Sequence, residues 1–187
     1  MTQFGSVVGL DLSLTSTGIA VYPQGKPAPW VGTIGSAGKK GDPWATRYRR
    51  LDNLAGRIID AVPENALVVM EAPSYGSVTG SQHDRSGLWW MVYDLLAGTT
   101  RTVLPVEPTV RAKYATGKGN ASKDAVLAAA VRRYPDIAID GNDTADAVVL
   151  MAIGRRLLGA PIDDPMPKVN LSALDKLSLP AEVAATP

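Results

Sequence analysis

The chain has 187 residues, 45% of them hydrophobic and 20% charged, with 19 basic against 18 acidic side chains. That size and balance fit one domain with its own core and exclude disordered and collagenous classes; no apolar run nears the roughly 20 residues a membrane-spanning helix needs. Cys is absent and His83 is the single histidine, which removes disulfides, thiolate zinc sites, cysteine nucleophiles and multi-histidine metal centres. Chemistry is left to carboxylates, hydroxyls, Lys and Arg. The opening MTQFGSVVGL has no basic stretch followed by an apolar segment and a cleavage site, so a cytoplasmic protein is expected.

Ser6 to Leu14 is rich in Val and Leu, Thr15 to Gly18 supplies turn residues, and Ile19 to Tyr22 resumes an apolar run, which predicts a hairpin. Trp30 to Ile34 follows two prolines and reads as an edge strand. Pro43 opens a helix in which Trp44, Tyr48, Leu51, Leu54 and Ile58 recur at helical spacing, with Arg47, Arg49, Arg50 and Arg57 in the gaps. Leu67 to Met70 reads as a buried parallel strand ended by Glu71. Ser74 to Asp84 reads as a loop, with His83 exposed in it, and Leu88 to Leu96 as a helix so uniformly apolar that it needs cover on more than one side. A strand at Thr102 to Val106 leads to a short basic helix, Thr109 to Tyr114. Ser122 caps a helix through Tyr134, and Asn142 caps the last one, Asp143 to about Leu158. Residues 1–159 thus form an α/β domain with a mixed sheet; 160–187, punctuated by proline, reads as a tail that either wraps the domain or is disordered.

Four acids stand out. Asp11 lies inside an apolar strand, in phase with Val7 and Gly9, where an ionised carboxylate costs several kcal/mol unless paired or bound to a cation. Glu71 sits at the C-terminal end of a second strand, where ligand crevices form in α/β sheets. Asp143 and Asp146 share one helix face. Each has an ordinary explanation alone: acids suit the first turn of a helix, and Asp11 and Glu71 flank turns. Together they can converge, and oxygen-only ligation favours Mg²⁺ or Mn²⁺, two of which would clamp a phosphodiester.

The segment 109–133 adds Arg111, Lys113, Lys118, Lys123, Arg132 and Arg133 against Asp124 alone, a charge suited to phosphates or simply to a solvated helix. Gly117 to Asp124 departs from a phosphate-binding loop for nucleotides, because Ser122 stands at its second glycine and Asp124 after the lysine, so no nucleotide cofactor is expected. Trp89, Trp90 and Tyr93 suit core and dimer packing better than base stacking.

Gly9-Leu10-Asp11 with Thr17-Gly18, Val69-Met70-Glu71, the segment Thr116 to Lys123, and Asp143-Thr144-Ala145-Asp146-Ala147 resemble, in this order, the motifs of the RuvC family of Holliday-junction resolvases. The resemblance spans roughly Ser6 to Leu158. It implies a ribonuclease-H-like sheet, the first three strands antiparallel and the rest parallel, flanked by helices. It also implies a dimeric endodeoxyribonuclease that makes paired nicks in four-way DNA junctions by metal-activated water. Asp11, Glu71, Asp143 and Asp146 would be the catalytic metal ligands for Mg²⁺ or Mn²⁺, two ions per site. Arg111, Lys113, Lys118, Lys123 and Tyr75 would contact branched DNA, and Trp89, Trp90 and Tyr93 a second copy. Leu12-Ser13 follows Asp11 where the family usually carries Pro-Gly, as in phage-like relatives, and Ser74 lies where bacterial enzymes carry an aromatic that probes the junction centre. A broader fork and flap nuclease and a junction-binding protein without catalysis are the alternatives. An actin-like sugar kinase, suggested by Asp11 to Gly18, needs two domains that 187 residues do not hold.

Overall fold

Alternation along the strands decides how the chain is layered. The computed structural model describes residues 4–73 and 81–180. Five strands, β1 (Ser6–Asp11), β2 (Thr17–Pro23), β3 (Trp30–Ile34), β4 (Ala66–Glu71) and β5 (Thr102–Val106), form one sheet in the order β3-β2-β1-β4-β5. The pairs β1–β2 and β2–β3 are antiparallel, and β4 runs parallel to both β1 and β5. Val8, Leu10, Ile19, Val21, Val68 and Met70 point to one face, into a core shared with α1 (Trp44–Ala61) and α2 (Gln82–Ala97). Val7, Ala20, Leu67 and Val69 point to the other, into a core built around α5 (Asn142–Leu157). Asp11, two residues beyond Gly9, falls in phase with the α5 face.

Helix α5 is the central element. Every residue from Thr144 to Gly154 is buried, because α3 (Pro108–Thr116) and α4 (Lys123–Arg133) pack on the side away from the sheet. Its close seat depends on two glycines in the strands beneath it. A Cβ at Gly9 would lie 2.0 Å from the carbonyl oxygen of Ala147, and one at Gly18 would lie 1.9 Å from that of Asp143. Backbone carbonyls cannot move aside as a side chain can, so alanine at either position pushes the start of α5 off the sheet. These contacts set Asp143 and Asp146 over the end of β1.

The structure bears on the sequence expectations at four places, and two of them, the starts of α2 and α5, differ. Helix α2 faces the core on one side, as expected, and leaves Trp90 and Leu95 63% and 43% exposed where cover was expected, while α5 is covered on all sides. Helix α2 begins at Gln82, so His83 occupies its first turn rather than a loop, and it is exposed as expected. Asn142 is the first residue of α5, not its cap. The cap position is Gly141, and Thr144 does the capping: its Oγ1 accepts the backbone N–H groups of Asp140 and Gly141 and donates to Asp140 Oδ1. The chain beyond Gly159 wraps the domain as far as it is described. Met166, Asn170 and Ala173 are buried, and Asn170 in α6 (Lys168–Leu171) donates to the carbonyl of Tyr114 at 2.9 Å.

Candidate functional site

The C-terminal ends of β1 and β4, together with the N-terminal turn of α5, bring Asp11, Glu71 and Asp146 to one place. Asp11 and Asp146 are buried, while Glu71 keeps partial contact with solvent. The group that unites them is Arg111, on the first turns of α3. Its Nε donates to Glu71 and its Nη1 to Asp146, so one guanidinium cross-links a strand end and a helix. Trp89 of α2 fixes the β4 end from behind by donating its indole N–H to the Glu71 carbonyl at 2.9 Å. The turn after Asp11 is clasped by Thr17, whose Oγ1 accepts from the Ser13 N–H and donates to the Ser13 carbonyl.

Negative charge is in excess here. Burial first, then the charges of Glu71 and Asp146, raise the Asp11 carboxyl well above the ordinary carboxylate value, against the pull of Arg111 and Lys123. Burial likewise pushes Asp146 up to about 6; Arg111 and Lys123 oppose this, and Glu71 and Asp143 add to it. Burial disfavours the Arg111 charge, but the surrounding carboxylates outweigh that cost and raise its pKa further. One arginine therefore serves at least three acids, and the second oxygen of Asp146 is buried with no hydrogen-bond partner among the described residues. A buried carboxylate oxygen without a partner is an unmet demand for a cation or a donor.

The donor set fits a hard cation: all oxygen, net negative, with one ligand atom unused. The geometry departs from the expected four-carboxylate cage. Among the described residues no three acidic or histidine side chains stand close enough to hold an ion. The physical reason is Arg111, whose guanidinium lies between Glu71 and Asp146 and takes one oxygen of each. Asp143 stands at the second position of α5, half-buried, and acts on Asp146 through its charge.

The remaining predicted positions divide. Arg111, expected to contact DNA, is 5% exposed and bonded to Glu71 and Asp146. A helical phase signal was present, since Tyr114 and Ala115, at three and four residues along, are buried on the same side. Lys118 and Lys123 are exposed; Lys123 opens α4 close enough to lower both Asp11 and Asp146. Lys113 is half-buried, with Nζ 3.4 Å from the Ser172 carbonyl. Tyr75 lies outside the described residues. Trp89 is buried and stacks on Tyr93 at 5.2 Å, so of the expected aromatic interface only Trp90 stands mainly in solvent.

No family model and no curated protein matches the chain. Among solved structures it is similar to the Thermus thermophilus RuvC structure, at 19% identity and a TM-score of 0.58, over 83% of this chain and 97% of that one. It is also similar to T. thermophilus RuvC in complex with Holliday junction substrate, at 16% identity and a TM-score of 0.59, over 83% and 96%. At these identities the likeness establishes the fold, which is RuvC-like and ribonuclease-H-like. No helix among the described residues is long and apolar enough to cross a membrane.

Proposed function

We infer that the chain is a metal-dependent endonuclease that resolves four-way DNA junctions. The observation that carries this reading is the excess of buried carboxylate at the strand ends of a RuvC-like sheet, with Asp146 holding one oxygen unused. The solved relative with the same fold was captured with a Holliday junction substrate. Asp11, Glu71, Asp143 and Asp146 would hold Mg²⁺ or Mn²⁺, which supplies Lewis acidity to a phosphate and acidity to water. Arg111 keeps Glu71 and Asp146 in register while the site is without substrate. Lys123, close to the acids, and Lys118, also exposed, are free to take phosphate oxygens, and the N-terminus of α4 favours the same anion. Paired nicks require two sites, and a second copy would cover the Trp90 and Leu95 face of α2.

The test is cleavage of a mobile four-way junction, a Y-fork and a linear duplex in Mg²⁺. The reading predicts symmetrical paired nicks in the junction and little cleavage of the others. Equal rates on fork and junction would replace it with a broader branched-DNA nuclease. Tight junction binding with no nicking in Mg²⁺ or Mn²⁺ would replace it with a binding protein.

A further inference from the structure

Helix α1 carries an unusual surface where it starts. Trp44 and Tyr48, one helical turn apart, are 77% and 60% exposed. Such exposure of two large aromatics has no role in the core, whose α1 contribution comes from Leu51, Leu54, Ala55 and Ile58. The Arg47 guanidinium lies 4.3 Å from the centre of the Trp44 ring, and its Nε is anchored by Asp84 of α2 at 3.0 Å. The tryptophan is therefore braced on one side rather than loose. Residues 36–50 also hold five basic side chains against Asp42 alone, and Lys39, Lys40 and Arg49 are exposed.

The topology sets this surface beside the acidic centre. Strand β3 ends at Ile34, which pairs with Thr17, next to the Asp11–Gly18 pair, so α1 starts at the same sheet end where the carboxylates gather. Arg50 ties the two together: it donates to the Leu14 carbonyl at 3.1 Å and to Ser36 Oγ at 2.8 Å, and Arg57 donates to the Gly35 carbonyl at 2.8 Å. The loop after β3 is thus moored to the turn after Asp11. It lies on the α1 side of the sheet, away from the basic residues of α3 and α4 that the sequence points to.

We propose that this rim of α1 is a second nucleic-acid contact, in which Trp44 and Tyr48 stack on an unpaired base and Lys39, Lys40 and Arg49 take the phosphates of the strand that carries it. Clustered positive charge favours a polyanion over a second copy of a chain carrying the same patch. Exposed aromatics among cations suit single-stranded or splayed nucleotides, since every base offers a π-face. The inference deepens the nuclease reading: DNA at the carboxylates would meet this rim with the arm that leaves over α1.

The test is junction binding in Ca²⁺ without Mg²⁺, by fluorescence anisotropy over a salt series. The proteins are wild type, Trp44→Ala/Tyr48→Ala, Trp44→Phe and Lys39→Glu/Lys40→Glu. The double aromatic change is expected to weaken binding of a junction with unpaired central bases about 5- to 30-fold, with linear duplex little affected and Trp44→Phe close to wild type. The charge reversal is expected to weaken binding to every DNA and to reduce the salt slope by about 1 to 2. All variants binding junctions within twofold of wild type would overturn the inference and leave the nuclease reading standing. Failure of the wild type to bind any branched DNA would overturn both. A change in self-association without a change in DNA affinity would make the rim a protein interface instead.

Discussion

Two arginines in this fold are each ringed by acids, and the two clusters balance their charge differently. Arg156 donates from Nε to the Tyr114 hydroxyl at 2.8 Å and from Nη2 to Asp163 and Asp164 at 2.6 and 2.7 Å. The other oxygen of Asp163 accepts both the Tyr114 and the Tyr134 hydroxyls at 2.8 Å, so its fully buried carboxylate has partners on both sides. Burial and the Asp163 charge push both phenols upward, keeping them protonated as donors. Arg111, by contrast, faces three carboxylates, two of them pushed up in pKa, and leaves one Asp146 oxygen unpartnered. The first cluster is complete without anything added and pins residues 160–180 to α3, α4 and α5. The second is stable only in part, and its deficit is positive charge. The complete cluster serves the fold, and under the proposed function the incomplete one is where a cation or substrate would enter.

The largest expected separation is in activity. Asp11→Asn should lower junction nicking by about 10³-fold or more, the several kcal/mol that metal-assisted charge stabilisation supplies, while junction binding in Ca²⁺ persists. Nicking within tenfold of wild type would break the comparison at its functional end. Next comes Asp163→Ala, which leaves Arg156 only the exposed Asp164 as a carboxylate partner and two buried hydroxyls without their acceptor, and should cost about 3–5 kcal/mol, or about 10 °C in thermal midpoint. Its nicking rate at 25 °C should stay near wild type, and a selective loss of nicking with an unchanged midpoint would contradict the division of roles.

Asp146→Asn should do the reverse of Asp163→Ala in metal-free protein. Its carboxyl resists ionisation even beside Arg111, so an uncharged isostere relieves on the order of 2 kcal/mol and raises the midpoint by several degrees. A lowered midpoint would show that the Arg111 pair outweighs the charge excess. The smallest effect is on pH. The Asp146 carboxyl titrates near the usual 3.8 in the unfolded chain and near about 6 when folded, so the folded state binds more protons between those values. Its contribution to stability is fully present below about 4 and is lost as pH rises through about 6. In EDTA, denaturant midpoints of the wild type should therefore fall over that interval more steeply than those of Asp146→Asn. Parallel profiles would remove the linkage.

Backbone signals in the sequence were strong where local chemistry decides the outcome. Trp30–Ile34 and Thr102–Val106 are strands at the expected bounds, and Ser122 caps α4 with its Oγ accepting from the Ala125 N–H. Asp11 and Glu71 stood out because a carboxylate in or ending an apolar strand is costly, and the turns they flank account for each only singly. The placement of Arg111 was not, since a cation on a short basic helix reads as a surface charge until tertiary packing turns it inward. The cap of α5 was missed for a similar reason: Asn142 is the better intrinsic cap, but Thr144 reaches back to two backbone N–H groups and shifts the start by one residue. The wrapped segment 160–180 carries no periodicity because a few buried contacts, Asp163 and Asn170 among them, hold it in place of a regular hydrophobic face.

The central proposal is that the Arg111 cluster, and not the Arg156 cluster, takes up a divalent cation. Calorimetric titration of Mn²⁺ into wild type, Asp11→Asn and Asp164→Asn at pH 7.5 tests it without recourse to cleavage. The account predicts saturable binding in the wild type and in Asp164→Asn, abolished in Asp11→Asn. Equal binding in all three, or none in the wild type, would contradict it.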